Sequence, residues 1–178
     1  DINGWDLQKA LRLLYKSNPP LFEWAASPIV YMETEFASQF RNVMNTYFST
    51  KKSLYHYISM AEGNYREFLR GANVKAKKYF YVMRPVLACR WILEKGTPPP
   101  MRFTELMAAE LPGELHPEME HLLELKMNTP EIKEIPRIDV LNEYLDTSIT
   151  EIKNLLLDMD DTKKMEWETL DQMFLEAL

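Results

Sequence analysis

A mainly helical protein is what this sequence predicts, and three observations carry that expectation. Only five glycines stand among 178 residues, so glycine-built reversals are few. Leu, Ala, Glu, Lys and eleven methionines dominate instead, and all of these favour helices. Apolar residues recur at i, i+3, i+4 and i+7 in successive windows, the repeat of a helix with one buried face. The two longest windows are neighbours, which predicts a bundle built on two long antiparallel helices, with at most a remnant strand at the N-terminus.

The elements follow in order. Over residues 6–16, Leu7, Ala10, Leu11 and Leu14 hold helical spacing, with Asp6 at the N-cap and Lys16 near the end. The run SNPP stops that helix, because Pro19 disfavours α geometry at Asn18. A short helix over 20–26 ends at Ser27-Pro28, and another is expected within 34–48. The first long helix spans 51–70, carrying Leu54, Tyr57, Ile58, Ala61, Tyr65, Phe68 and Leu69 on its apolar face. Gly71 breaks it, and Asn73 can cap a second long helix that runs to about Lys95 before Gly96 and the prolines at 98–100. Pro85 lies inside this second helix, where its missing N–H predicts a kink near Met83 and Arg84. Beyond the prolines, amphipathic helices are expected over 102–110, 117–128, 137 to about 157, and 161–178. The chain thus divides into a helical region over 1–96 and an acidic helical subdomain over 97–178, whose part is packing and solubility.

A net charge of -6 conceals an asymmetry. Residues 51–90 hold nine Lys/Arg against two Glu, a local charge of +7 that leaves -13 on the remainder. A phosphate-bearing ligand would choose that middle segment, and a solvated basic face balanced by the acidic half is the structural alternative. No apolar run approaches the roughly 18 residues of a membrane span, and no signal peptide is visible, so a cytoplasmic protein with no membrane partner is expected. Cys89, in LACRW, reads as a small buried hydrophobe, and one cysteine cannot form an internal disulfide. A start on Asp1 rather than Met predicts that the chain is a piece of something longer.

Several chemistries drop out. No GxxxxGK[ST] or GxGxxG loop occurs, nor any GxSxG elbow. His56, His116 and His121 have no partners at metal-ligand spacing and read as surface or capping residues. What stands out is GNYREFLRGANVKAKKYFYVMRPVLACRW. In an antiparallel pair turning at Gly71, Arg66 and Arg70 lie one turn apart, close to Lys75, Lys77 and Lys78. Cations at a helix N-terminus suit phosphate oxygens, since they add charge to unpaired backbone N–H groups. Tyr79 and Tyr81 interleave with them, either to stack on a base or to join the core.

The stretches NGWDLQKALRLLYKSNPPLFEWAASPIVY, YISMAEGNYREFLRG and VKAKKYFYVMRPVLACRWI resemble the RlaP family of predicted nucleotidyltransferases, RNA-repair-associated members of the DNA polymerase β superfamily. The resemblance runs from Asp1 to about Glu94 and weakly onward, over roughly half of the chain. It implies a two-part protein, in which an N-terminal mixed α/β catalytic domain with a Gly-Ser motif and paired aspartates precedes a helical portion. Neither motif is present in the chain, so that catalytic domain would be a missing partner within the same polypeptide. The superfamily holds two divalent metals with three carboxylates, the third on a later strand. The strand-like DIN matches that place, and the resemblance therefore carries Asp1 over as a catalytic, metal-binding carboxylate, although Asp6 competes for the role.

The implied chemistry is attack of a hydroxyl on the α-phosphorus of a nucleoside triphosphate, with Mg2+ or Mn2+ ions about 3.5–4 Å apart stabilising the attacking and leaving oxygens. Lys77, Lys78 and Arg84 are the candidates for the β and γ phosphates, with Arg66 and Asn64 behind them. Each has a structural alternative: Arg66 can pair with Glu62 or Glu67, and Arg84 can cap carbonyls freed at Pro85. Lys9 and Trp5 could line the entrance, or Trp5 could be core. The expected function is the C-terminal helical part of a metal-dependent nucleotidyltransferase, inactive alone, transferring a nucleoside monophosphate to a hydroxyl acceptor such as an RNA end. The alternative is a non-catalytic helical module that binds nucleic acid or another protein.

Overall fold

Helix starts in this chain are set by short polar side chains that satisfy the first free N–H groups. The structure is a computed structural model describing residues 3–128, 134–160 and 165–177. Asp6 accepts from the Lys9 amide at 2.7 Å and opens α1 (Leu7–Tyr15). Asn18 does the same for α2 (Pro19–Ala25), Thr34 for α3 (Glu35–Met44), and Ser49 for α4 (Thr50–Phe68). Ser17 turns the chain with a positive φ of 54°, and its hydroxyl accepts from the Ser49 amide at 2.7 Å, tying the start of α2 to the start of α4.

After α4 the chain forms β1 (Asn73–Lys75), α5 (Ala76–Lys95), α6 (Phe103–Glu110), α7 (His116–Asn128), β2 (Glu134–Pro136), α8 (Asp139–Leu157) and α9 (Glu168–Glu176). The fold is mainly α. The two long helices run antiparallel: the Cys89 thiol on α5 meets the Leu54 carbonyl on α4, while at the other end Lys78 lies over Phe68. Gly96, in left-handed geometry at φ 67°, ends α5, as a C-terminal glycine commonly does.

Helix α5 is the centre of the molecule. Val82, Met83, Val86, Leu87, Ala88, Cys89 and Ile92 are buried on more than one face, because α4, α6, α7 and α8 all pack on it. Buried side chains on both sides of the proline run, from Leu14 and Leu54 to Leu145 and Ile152, belong to one continuous core. Tyr79 joins that core, fully buried. Its hydroxyl donates to Asn142 Oδ1 at 2.8 Å and accepts from the Ile138 amide at 2.7 Å, while Asn142 Nδ2 donates to the Leu69 carbonyl at 2.7 Å. This buried polar lock pins α8 to the turn between the long helices.

One expectation changes. Asn73 is not a helix cap but part of β1, which pairs antiparallel with β2 in the register Asn73↔Pro136, Val74↔Ile135, Lys75↔Glu134. Lys75 takes the N-cap position of α5 without a side-chain bond. A three-residue strand has no periodicity of its own, and its partner lies some sixty residues on, so nothing local announces it. The remnant strand expected at the N-terminus is not found in residues 3–6, and Asp1 and Ile2 lie outside the described residues. Helix α5 continues through Pro85, as expected of a single long helix, and the proline ring is buried. The Tyr81 carbonyl there loses its helical donor, yet the helix stays continuous around it.

Candidate functional site

Helix α5 sets out the candidate cations along its first two and a half turns. Lys78, Tyr81 and Arg84 follow one another at three-residue steps, and Lys77 lies four residues before Tyr81, so they share a side of the helix. Lys77 and Lys78 stand in the first turn, where backbone N–H groups are not used by the helix. Across from them the end of α4 brings Asn64, Arg66 and Phe68.

Lys78 is held by aromatic faces. Its ammonium lies 3.3 Å from the centre of the Phe68 ring and 4.7 Å from that of Tyr81. This arrangement keeps the charge intact and fixes its place, because the ring quadrupoles attract the cation without neutralising it. Lys77 is half-buried beside it. Tyr81 is exposed, so it is a surface ring and not a core one.

Arg84 is engaged more tightly. Its Nη2 lies 3.0 Å from Glu23 Oε1 and also donates to the Pro100 carbonyl at 3.4 Å. The same Glu23 oxygen accepts from the Tyr57 hydroxyl at 2.7 Å. One carboxylate thus ties α2, α4 and α5 together. Burial, with Glu23 beside it, pushes the Tyr57 hydroxyl far above its usual pKa, so that it stays a donor. The neighbouring His56 imidazole is shifted down by its own burial, with Glu23 opposing that shift. The carbonyl Arg84 meets is that of Pro100 in the proline run, not one freed at Pro85.

The second tier separates. Asn64 donates its amide to the Met60 carbonyl one turn back at 2.8 Å, a local helical bond. Arg66 is exposed; Glu62, expected as a partner for it, is bonded to Lys153 of α8 at 2.8 Å. The strand pair adds a residue that reading along the sequence missed. Arg137 follows β2, donates its amide to the Ala72 carbonyl at 2.9 Å, and lies with Arg70 near Tyr65, its guanidinium donating to Asp139 Oδ1 at 2.7 Å. Both cations act on the same hydroxyl, that of Tyr65, opposing the rise in pKa that burial causes. Only the pairing of β1 with β2 juxtaposes them, so no spacing in the sequence could have signalled it.

Asp1 lies outside the described residues. The chain that follows it does reach the site's neighbourhood: Trp5 stacks on Trp24 with ring centres 4.2 Å apart, and Trp24 is next to Glu23 on α2. Lys9 sits 5.9 Å from the Trp5 ring. Helix α2 is therefore the bridge between the start of the chain and Arg84. Among the described residues no three His, Cys, Asp or Glu side chains come together as metal ligands, so these residues by themselves do not fit a two-metal centre. No helix of the described residues is long and apolar enough to cross a membrane.

Comparison with known proteins decides the family. The model of the RlaP family, described as the RNA repair pathway DNA polymerase beta family, matches residues 1–176. The chain belongs to it. The match includes the acidic half after the prolines, so α6 to α9 lie within the span the family model covers. The chain is also 46% identical over 182 aligned residues to "Uncharacterized protein YcgL" of Bacillus subtilis (strain 168), covering all of this chain and 69% of that protein. No solved structure matches.

Proposed function

We propose that this RlaP chain is the helical part of a nucleotidyltransferase that moves a nucleoside monophosphate from a nucleoside triphosphate to a hydroxyl acceptor, with an RNA end as the acceptor to test first. Membership of the RNA repair pathway DNA polymerase beta family along residues 1–176 is the observation that carries the reading. The geometry of α5 supports it: an ammonium fixed by two rings, a second lysine beside it, and both at a helix N-terminus where amide groups face outward.

In this reading Lys77 and Lys78 take charge on the β and γ phosphates, and the leaving pyrophosphate is their ligand. Arg84 already serves Glu23 and the Pro100 carbonyl. Its part is to hold α2 and the proline run against α5, and a phosphate reaches it only by sharing it with Glu23. Arg66 remains a candidate for an outlying phosphate contact, while Asn64 spends its donor on Met60. Asp1 remains the proposed ligand for Mg2+ or Mn2+, together with carboxylates from a catalytic domain of the same polypeptide. The metal would supply charge to the reacting oxygens, and the roles of the lysines do not depend on its position. A cytoplasmic location belongs to the same proposal.

The test uses a polypeptide of the length of the Bacillus relative, given triphosphates labelled at the α-phosphorus, Mg2+ and a short RNA. Label transferred to an RNA hydroxyl, with pyrophosphate released, is the expected result. Binding of RNA that falls steeply and log-linearly with salt, with no transfer to any acceptor, would establish the non-catalytic module instead.

A further inference from the structure

Tyr79 and Tyr81 stand two residues apart in the basic segment, and the fold sends them to opposite surroundings. Tyr79 is fully buried, with its hydroxyl bonded to Asn142 and to the Ile138 amide. Tyr81 is 46% exposed, and among the described residues its hydroxyl forms no hydrogen bond and no other aromatic ring packs on it. The contact its ring does make is with the Lys78 ammonium, 4.7 Å from the ring centre. Other exposed rings are placed differently. Trp24 already stacks on Trp5. Tyr55, exposed to the same 46%, stands near the start of α4, whereas Phe68, which meets Lys78, ends that helix.

A nucleoside triphosphate has two parts that need different partners. Its phosphate oxygens seek cations, and its base has a flat face that stacks on an aromatic ring. Lys77 and Lys78 precede Tyr81 by four and three residues, so the ring stands one turn, about 5 Å, further along the same side of α5. Ribose and α-phosphate span such a gap. We propose that Tyr81 is the base platform of the triphosphate site, stacking on the nucleobase while Lys77 and Lys78 take the phosphates. This rests on the reading of those lysines as triphosphate ligands. Stacking reads no hydrogen-bonding edge, so the platform accepts all four bases alike.

Equilibrium binding to a polypeptide of the Bacillus relative's length, in Mg2+, separates the platform from the phosphate grip when two kinds of probe are compared: the four nucleoside triphosphates, and inorganic tripolyphosphate, which has no base. Tyr81→Leu should weaken every nucleoside triphosphate about tenfold and leave tripolyphosphate within about twofold, while Tyr81→Phe keeps the ring and binds both as the unaltered chain does. Tyr55→Leu should change neither. An equal loss of tripolyphosphate in Tyr81→Leu would overturn the proposal, because the ring would then act only by holding Lys78. Undiminished nucleoside triphosphate binding in Tyr81→Leu, or a loss confined to one base, would overturn it as well. Lys78→Ala reports the grip separately, since it should weaken both kinds of probe. If it does so while Tyr81→Leu has no effect, the platform falls and the function stands. If Tyr81→Leu weakens the nucleoside triphosphates and Lys78→Ala weakens neither probe, the platform stands and the lysine reading falls. An unaltered chain that binds no nucleoside triphosphate would overturn both.

Discussion

Glu23 shows how much one side chain can carry. It was not among the residues that charge or spacing singled out, because a lone Glu in PPLFEWA is unremarkable in composition. In the folded chain one of its oxygens takes both Tyr57 and Arg84. Replacing it with alanine strands a buried hydroxyl and a largely buried guanidinium. Glu23→Ala should lower the free energy of unfolding by about 2 kcal/mol, and Glu23→Gln, which keeps an acceptor, by less than half of that. Denaturant unfolding measures both; equal losses would show that charge, not hydrogen bonding, matters there. Lys78 is the opposite case. The basic cluster was legible because cations at a predicted helix start have a local signature, but its clasp between Phe68 and Tyr81 was not, since Phe68 lies on the other helix.

At the scale of elements, caps and breakers decided most of what could be read. Asp6, Asn18, Gly71, Gly96 and the prolines at 98–100 punctuate the chain locally, so the positions of α1 to α8 agree with expectation to within a few residues, while α9 starts at Glu168 rather than near Asp161. What escaped was non-local. The β1–β2 pair and the Tyr79–Asn142–Leu69 lock join residues about sixty or more positions apart, and no window of sequence contains both partners. These contacts make α8 part of the site's framework. Asn142→Leu should therefore cost about 3 kcal/mol, because it leaves the Leu69 carbonyl without its side-chain donor and the Tyr79 hydroxyl without its acceptor. Thermal unfolding reads that cost. A loss below about 0.5 kcal/mol would mean that water replaces the amide without penalty.

Across the whole molecule, the acidic half and the basic half meet in ion pairs that pH can break. Glu62 on α4 is held below its ordinary carboxylate pKa of 4.5, first by its hydrogen bond to Lys153 on α8. A lowered folded-state value means that the pair's contribution is complete above the unfolded value and fades as pH falls below about 4.5 toward the folded one. For a pair this exposed the amount is about 0.5 kcal/mol. Glu62→Gln should flatten that part of the acid-unfolding profile and lower stability at pH 7 by about the same 0.5 kcal/mol; an unaltered profile would refute the assignment. The central claim is that the lysines of α5 grip a triphosphate. Equilibrium binding of Mg-NTP to a polypeptide of the Bacillus relative's length tests it most directly, comparing Lys78→Ala with Lys52→Ala, an exposed lysine at the far end of α4. Loss of one charge-assisted contact predicts about a tenfold weaker affinity for Lys78→Ala and less than about twofold for Lys52→Ala. Equal effects from the two substitutions, or none from Lys78→Ala, would contradict it.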